Sequence, residues 1–426
     1  MAHLTIKEIG VIKYVDIDLN KINVIIGPQS SGKSTICKIA CYCAWVEKKI
    51  SLVQDFVYFM KDHNFYKELV TFHKLAGYFM DESFFEYETD VIKFSYLHKN
   101  GNAEFEWKDR YGYKQNQIAY IPSERNLISA IDNWFEVKFK DNNIRNFMID
   151  WEDARKVYTR EDPLSILKLG VQYYFDGATR KDLVIVDDNG TTLDLTNTSS
   201  GLQSLIPLEV VSQYLTNYIF AIDGSNSVQD KSSANFFRQR VYEELFEVKE
   251  INFPSEGLFV DRSLDDGIKL FRSKEDYDRY NKTINRMLYI QYTKLFIEEP
   301  EQNIFPETQR DFLYSILELM KSKEDNSLFI TTHSPYILYA LNNCIMGFWV
   351  KNKMPLDEQK ELLSLPAWID PALVSVYEIT DEGILKSILT EKTKLIGKHY
   401  FNRVRNGMMD EYYDMLDYLE IDEDEK

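Results

Sequence analysis

The run Gly27-Pro28-Gln29-Ser30-Ser31-Gly32-Lys33-Ser34 has the spacing G-x-x-x-x-G-K-[ST] of a phosphate-binding loop. Each residue type suits that chemistry. Gly27 and Gly32 allow positive φ and a close backbone approach to an anion. Successive N–H groups then form an anion-binding nest, backed by the positive end of the helix that opens near Lys33. The Lys33 ammonium can reach β- and γ-phosphates, and the Ser34 hydroxyl can ligate Mg²⁺. With glycine at about 7% of residues, such a match arises by chance in roughly 1–2% of chains this long. Thr35 follows directly and completes the candidate nucleotide-binding run 27–35.

Three later strand ends carry further reactive groups. Tyr292 to Ile297 reads as a short hydrophobic strand that ends at Glu298-Glu299-Pro300-Glu301. One carboxylate there can stand beside Mg²⁺ and the next can orient a water towards the γ-phosphate. Leu328 to Thr332 ends at His333-Ser334-Pro335, where the imidazole can sense that phosphate. Ile118 to Ile121 ends in the polar cluster Pro122-Ser123-Glu124-Arg125-Asn126, a candidate because α/β sites collect where strands end. Thr196 to Ser204 is a polar cap before an apolar helix expected over Leu205 to Tyr218, with Ser199 or Ser200 as N-cap.

The elements that position these groups read as follows. Residues 3–26 form two or three strands about a turn at Gly10: Leu4, Ile6 and Ile9 make one apolar set, and Val15, Ile17 and Leu19 another. A helix covers 33–47. Residues 50–80 read as helical and aromatic, 84–122 as antiparallel strands, and 126–165 as mostly helical. A hairpin turns at Asp188-Asn189-Gly190. Residues 222–234 read as a mobile Gly/Ser/Asp-rich loop, followed by helices at 235–248 and 273–290. Pro306 starts a helix to Lys321. Strand and helix alternate around the loop, so the expected fold class is α/β. It is a mainly parallel core sheet with an antiparallel β-subdomain and helical insertions.

Composition narrows the function. The chain has 426 residues, 44% hydrophobic, with net charge −18, an acidic balance that does not favour a dedicated duplex-DNA binder. The densest basic strip, Lys392 to Arg405, reads as a solvated helix face, and residues 420–426 as a disordered acidic tail. There is no run of 18 apolar residues and no signal-peptide pattern, so no membrane span is expected and the cytoplasm is the expected compartment. Cys37, Cys41, Cys43 and Cys344 lack zinc spacing and read as buried free thiols.

Together these segments resemble an ABC-type ATPase of the standalone prokaryotic AAA family group. That group is related to the heads of the overcoming-lysogenization-defect nucleases and to structural-maintenance-of-chromosomes ATPases. GPQSSGKST (27–35) matches Walker A, SSGLQS (199–204) the signature, FIEEPEQNIFP (296–306) Walker B with the D-loop, and TTHSP (331–335) the switch histidine. The resemblance implies ATP and Mg²⁺ as cofactors, held by Gly27, Pro28, Gln29, Ser30, Ser31, Gly32, Lys33, Ser34 and Thr35. It makes Ser34 and Glu298 metal-side residues, Glu299 the general base and His333 its catalytic neighbour. Ser200 and Gly201 would contact the γ-phosphate bound by a second copy, in a homo-oligomer of at least two. Two departures stand out: Glu replaces Asp at 298, and no conventional Q-loop glutamine is evident, with Glu124 or Gln117 the nearest substitutes.

The implied head spans 1–340, with insertions over about 45–198. Residues 341–426 would add the last strands and a helical region. No long heptad run splits the head, and 340–426 has no D-x-D after a hydrophobic strand, so no Toprim nuclease is expected there. The expected role is an ATP-driven switch that holds or releases a separate effector protein such as a nuclease, in antiphage defence. The alternative is a recombination or repair ATPase that clamps duplex DNA.

Overall fold

The structure, a computed structural model, describes residues 2–131, 134–136, 140–221, 228–247, 259–261, 269–416 and 418. Its centre is a six-stranded sheet in the order Leu385–Ser387, Val374–Ile379, Ile22–Ile26, Ser327–Thr332, Tyr292–Glu298, Asn116–Ile121. All neighbours pair in parallel except the short edge strand Leu385–Ser387. The register aligns Ile121 with Ile297, Glu298 with Thr331, and Thr332 with Ile26, so the chemically reactive strand ends lie side by side.

Side chains alternate between two cores on opposite faces of this sheet, as the two-residue period of a strand requires. Ile22, Val24, Ile26, Ile297 and Ile330 point into one. That core is closed by helices Asn143–Arg155, Ser200–Gln213, Pro306–Met320 and Pro335–Val350. Ile25, Phe296, Phe329 and Ile379 point into the other. There they meet helix Lys33–Val53 and an antiparallel sheet of five strands, ordered Ile12–Leu19, Ala2–Ile9, Phe79–Glu88, Ile92–Leu97, Ala103–Trp107. A second antiparallel sheet joins Thr192–Asp194, Lys181–Val186, Val171–Asp176 and Leu164–Ser165.

Several local expectations change. The helix after the loop runs to Val53, because Ile50 and Ser51 are buried and carry it past the lysines at 48 and 49. Residues 50–80 are not one helical stretch. Beyond Val53 they hold two short helices, Val57–Met60 and Asn64–Phe72, and the chain enters a strand at Phe79. Their aromatic side chains pack on the five-stranded sheet, with Phe65 stacked on Phe85 at 5.6 Å. The helix expected over 205–218 starts at Ser200 and ends in a π-helical turn, Tyr214–Tyr218. Of the loop expected at 222–234, residues 222–227 lie outside the described residues, and Val228 begins a helix to Leu245. The acidic tail 420–426 also lies outside them. All four cysteines are free and buried. Among the described residues no helix is long and apolar enough to cross a membrane.

Candidate nucleotide site

The loop 27–34 hangs from a strand whose five residues, Ile22–Ile26, are all buried. Gly27 has φ 154°, and a Cβ there would fall 2.5 Å from Ile379 Cγ2 and 2.8 Å from the Ile379 carbonyl oxygen. Gly32 has φ 100°, and its Cβ would fall 2.7 Å from Ile12 Cγ1. Both positions exclude side chains by space as well as by backbone conformation. Ser30 adopts φ 59°, which bends the loop between them.

Lys33 is buried and folds back over the loop. Its Nζ donates to the carbonyl oxygens of Gly27 (2.9 Å) and Pro28 (2.5 Å) and stands 3.4 Å from Ser31 Oγ. Burial pulls its ammonium down to about 8, opposed by the charges of Glu299 and Glu301. Ser34 and Thr35 sit in the first turn of helix Lys33–Val53, Ser34 half-buried and Thr35 buried.

Glu298 ends its strand almost fully buried. Its Oε1 lies 3.9 Å from Lys38 Nζ and makes no hydrogen bond. The nearby Tyr120 hydroxyl is pushed well above its ordinary range, first by burial and then by the charge of Glu298. A buried carboxylate oxygen with a free lone pair beside the loop helix fits a hard dication such as Mg²⁺. No group of three His, Cys, Asp or Glu side chains gathers among the described residues. Mg²⁺ does not need one, since it is commonly held by one or two carboxylates with phosphate and water.

Glu299 takes the left-handed conformation, φ 44°. Its N–H donates to the Thr331 carbonyl at 2.8 Å, and its Oε1 lies 3.3 Å from His333 Nε2. The hydrogen bond with His333 holds the carboxyl below its usual range; burial opposes this, while the charges of His333, Lys33 and Arg125 reinforce it. Glu299 is therefore ionised and half-exposed, as a water-orienting base must be.

Two residues that lie in the expected strand-end clusters, but had no role of their own there, complete this end of the sheet. The Glu301 Oε1 accepts the His333 backbone N–H at 2.5 Å, and burial raises that carboxyl. Arg125, in the 3₁₀ turn Ser123–Asn126, is buried and donates to the carbonyls of Glu298 (2.9 Å), Glu299 (2.8 Å) and Pro300 (3.2 Å). Both lie inside quoted segments, IPSERN and EEPE. The only sequence signal was a charge at a strand end.

Ser200 and Gly201 are placed elsewhere. Ser199 caps their helix, accepting from the Leu202 N–H at 3.4 Å. A Cβ on Gly201 would lie 3.1 Å from the Asn303 carbonyl, so this helix start abuts the turn after Glu299. No hydrogen bond or ion pair among the described residues joins Ser200 or Gly201 to 27–35. Ser199, Ser200 and Asn303 are exposed, and Phe305, two residues beyond Asn303, is 71% exposed. Of the two Q-loop substitutes, Gln117 pairs with Thr293 at the far end of its strand. Glu124 is at the correct end and faces Lys74 at 3.9 Å.

Residues 290–338 match the AAA ATPase domain family, a span that contains Glu298, Glu299, Glu301 and His333. No curated protein matches the chain. Among solved structures, the chain is similar to the SMC head domain from Thermotoga maritima at 10% identity, over 91% of this chain and 98% of that one, with a TM-score of 0.38. An SMC head bound to the C-winged helix domain of ScpA aligns at 10% identity, over 92% and 97%, with a TM-score of 0.37. The recombination mediator protein RecF of the RecFOR pathway aligns at 10% identity, over 91% and 97%, with a TM-score of 0.28. Likenesses this loose carry no argument about partners.

Proposed function

We propose that this chain, an ATP hydrolase of the AAA/ABC P-loop type, works as a nucleotide-closed switch in which two copies sandwich two Mg-ATP between them. The loop 27–35 cradles the phosphates. Ser34 and Glu298 hold Mg²⁺, which supplies charge neutralisation at the phosphates when bound. Glu299 orients the attacking water and accepts its proton, and His333 stands where the γ-phosphate is sensed.

One observation carries the two-copy reading. Ser200 lies exposed and Gly201 partly exposed against Asn303, with no bond to the loop of their own chain among the described residues. A helix N-terminus suits an anion, and a second copy can bring one to it. The large exposed ring of Phe305 marks the same face as a contact surface.

Control of a separate effector such as a nuclease in antiphage defence rests on the resemblance of the motifs. An acidic chain is better suited to a protein partner than to bare DNA. The test is mass by light scattering of Glu299→Gln with and without Mg-ATP. An ATP-dependent rise to a dimer or larger is expected. A mass fixed at monomer would remove the sandwich. DNA affinity that falls steeply with salt would instead favour the DNA-clamp alternative.

A further inference from the structure

Arg125 is 1% exposed, and no ion pair joins it to a carboxylate among the described residues. Every partner is a main-chain carbonyl. Nε donates to Ser204 (3.2 Å), Nη1 to Glu298 (2.9 Å) and to Pro122 (3.4 Å), and Nη2 to Glu299 (2.8 Å) and to Pro300 (3.2 Å). These acceptors come from three elements: the end of strand Asn116–Ile121, the helix Ser200–Gln213, and the turn after Tyr292–Glu298. Burying a guanidinium is costly, and only a full set of acceptors offsets it. Burial brings it down to about 10, so it stays charged, drawn by Glu301, Glu299 and Glu298.

Its strongest bonds fall where the backbone is least comfortable. Glu299 holds φ 44°, a conformation that costs a non-glycine residue about 1–3 kcal/mol unless its surroundings impose it. The peptide is clamped from both sides. The Glu299 N–H is fixed by the Thr331 carbonyl, and the Glu299 carbonyl by Arg125 Nη2. That backbone turn is what aims the carboxylate at His333.

We propose that Arg125 is a positioning residue for ATP hydrolysis, which holds the Glu299 turn in its productive conformation and ties it to the helix that begins at Ser200. The proposal rests on the reading of Glu299 as base and of Ser200 as the contact to the second copy's nucleotide. A phosphate engaged at the helix start shifts a rigid helix that carries the Ser204 carbonyl. Arg125 passes that shift to the Glu299 carbonyl within a single side chain. Arg125 thus links closure of the second copy to the base.

The experiment compares Arg125→Lys and Arg125→Met in the full chain, with Glu299→Gln alongside. Melting temperature, affinity for a fluorescent ATP analogue, kcat and KM are measured. Lys keeps the charge but cannot span all the carbonyls. For Arg125→Lys, a kcat lowered about 10–100-fold is expected, with nucleotide affinity within about threefold of the parent. Arg125→Met, which can donate to none of the carbonyls, falls further. Wild-type kcat in Arg125→Lys overturns the proposal. So does parallel loss of folding, binding and kcat in both variants, which marks a purely structural arginine. Glu299→Gln turning over at the wild-type rate refutes the base assignment itself. An inactive Glu299→Gln beside a fully active Arg125→Lys refutes the role of Arg125 alone.

Discussion

Lys33 must hold a buried charge before any phosphate reaches it, and it does so by borrowing the carbonyls of Gly27 and Pro28. Burial nonetheless brings its ammonium near 8 rather than the usual lysine range. A bound triphosphate favours the charged form and raises that value again. At pH 8.5 the free lysine is mostly neutral, so nucleotide binding takes up a proton. At pH 7 the lysine is already charged, and the uptake largely disappears. Calorimetric binding enthalpies in two buffers of unlike ionisation heat should differ at pH 8.5 and converge at pH 7; equal enthalpies at both would refute the shift. Glu299→Gln is expected to keep nucleotide affinity and lose about 100-fold or more in turnover, the usual weight of a general base. Single-turnover hydrolysis measured beside binding separates the two effects.

At the scale of elements, the strands of the site were legible because each is a contiguous apolar run ending in polar residues: Ile22–Ile26, Tyr292–Glu298 and Ser327–Thr332. The loop was legible because its residue types and its spacing are local. Arg125 was not, since its acceptors Ser204, Glu298, Glu299 and Pro300 lie 79, 173, 174 and 175 positions away, and only folding brings them to it. The segment 50–80 misled for another reason. Aromatic residues recur there at intervals that suit a helix, while their partners are strands such as Phe79–Glu88 and Ile92–Leu97. The loop itself gives a sharp expectation. Gly27→Ala forces a Cβ against Ile379 Cγ2 and its carbonyl. It should weaken nucleotide binding at least tenfold and cost about 1–3 kcal/mol of stability, read from the denaturant midpoint.

On the scale of the whole molecule, the sheet divides two cores, and the nucleotide site lies along one end of it. Ser200, Asn303 and Phe305 are exposed, and the proposed sandwich would cover them. Phe305→Asp should leave the melting temperature within about 2 °C, because an exposed ring contributes little to the fold. The same change should weaken the ATP-dependent dimer of Glu299→Gln at least tenfold, as about 1.5–3 kcal/mol of side-chain burial is lost. Light scattering over a dilution series checks this, and an unchanged dimer would place the contact on another face.

The strand Val374–Ile379 lies directly against Ile22–Ile26 and brings Ile379 to Gly27. A ribosome releases the two strands far apart in time. The phosphate loop is made first and waits without this neighbour until Val374–Ile379 has followed it. Nucleotide competence is thus acquired late by the nascent chain. A chain stopped at residue 372 should fail to retain a fluorescent ATP analogue. In the proposed sandwich, unfinished copies would in this way be kept from closing on finished ones.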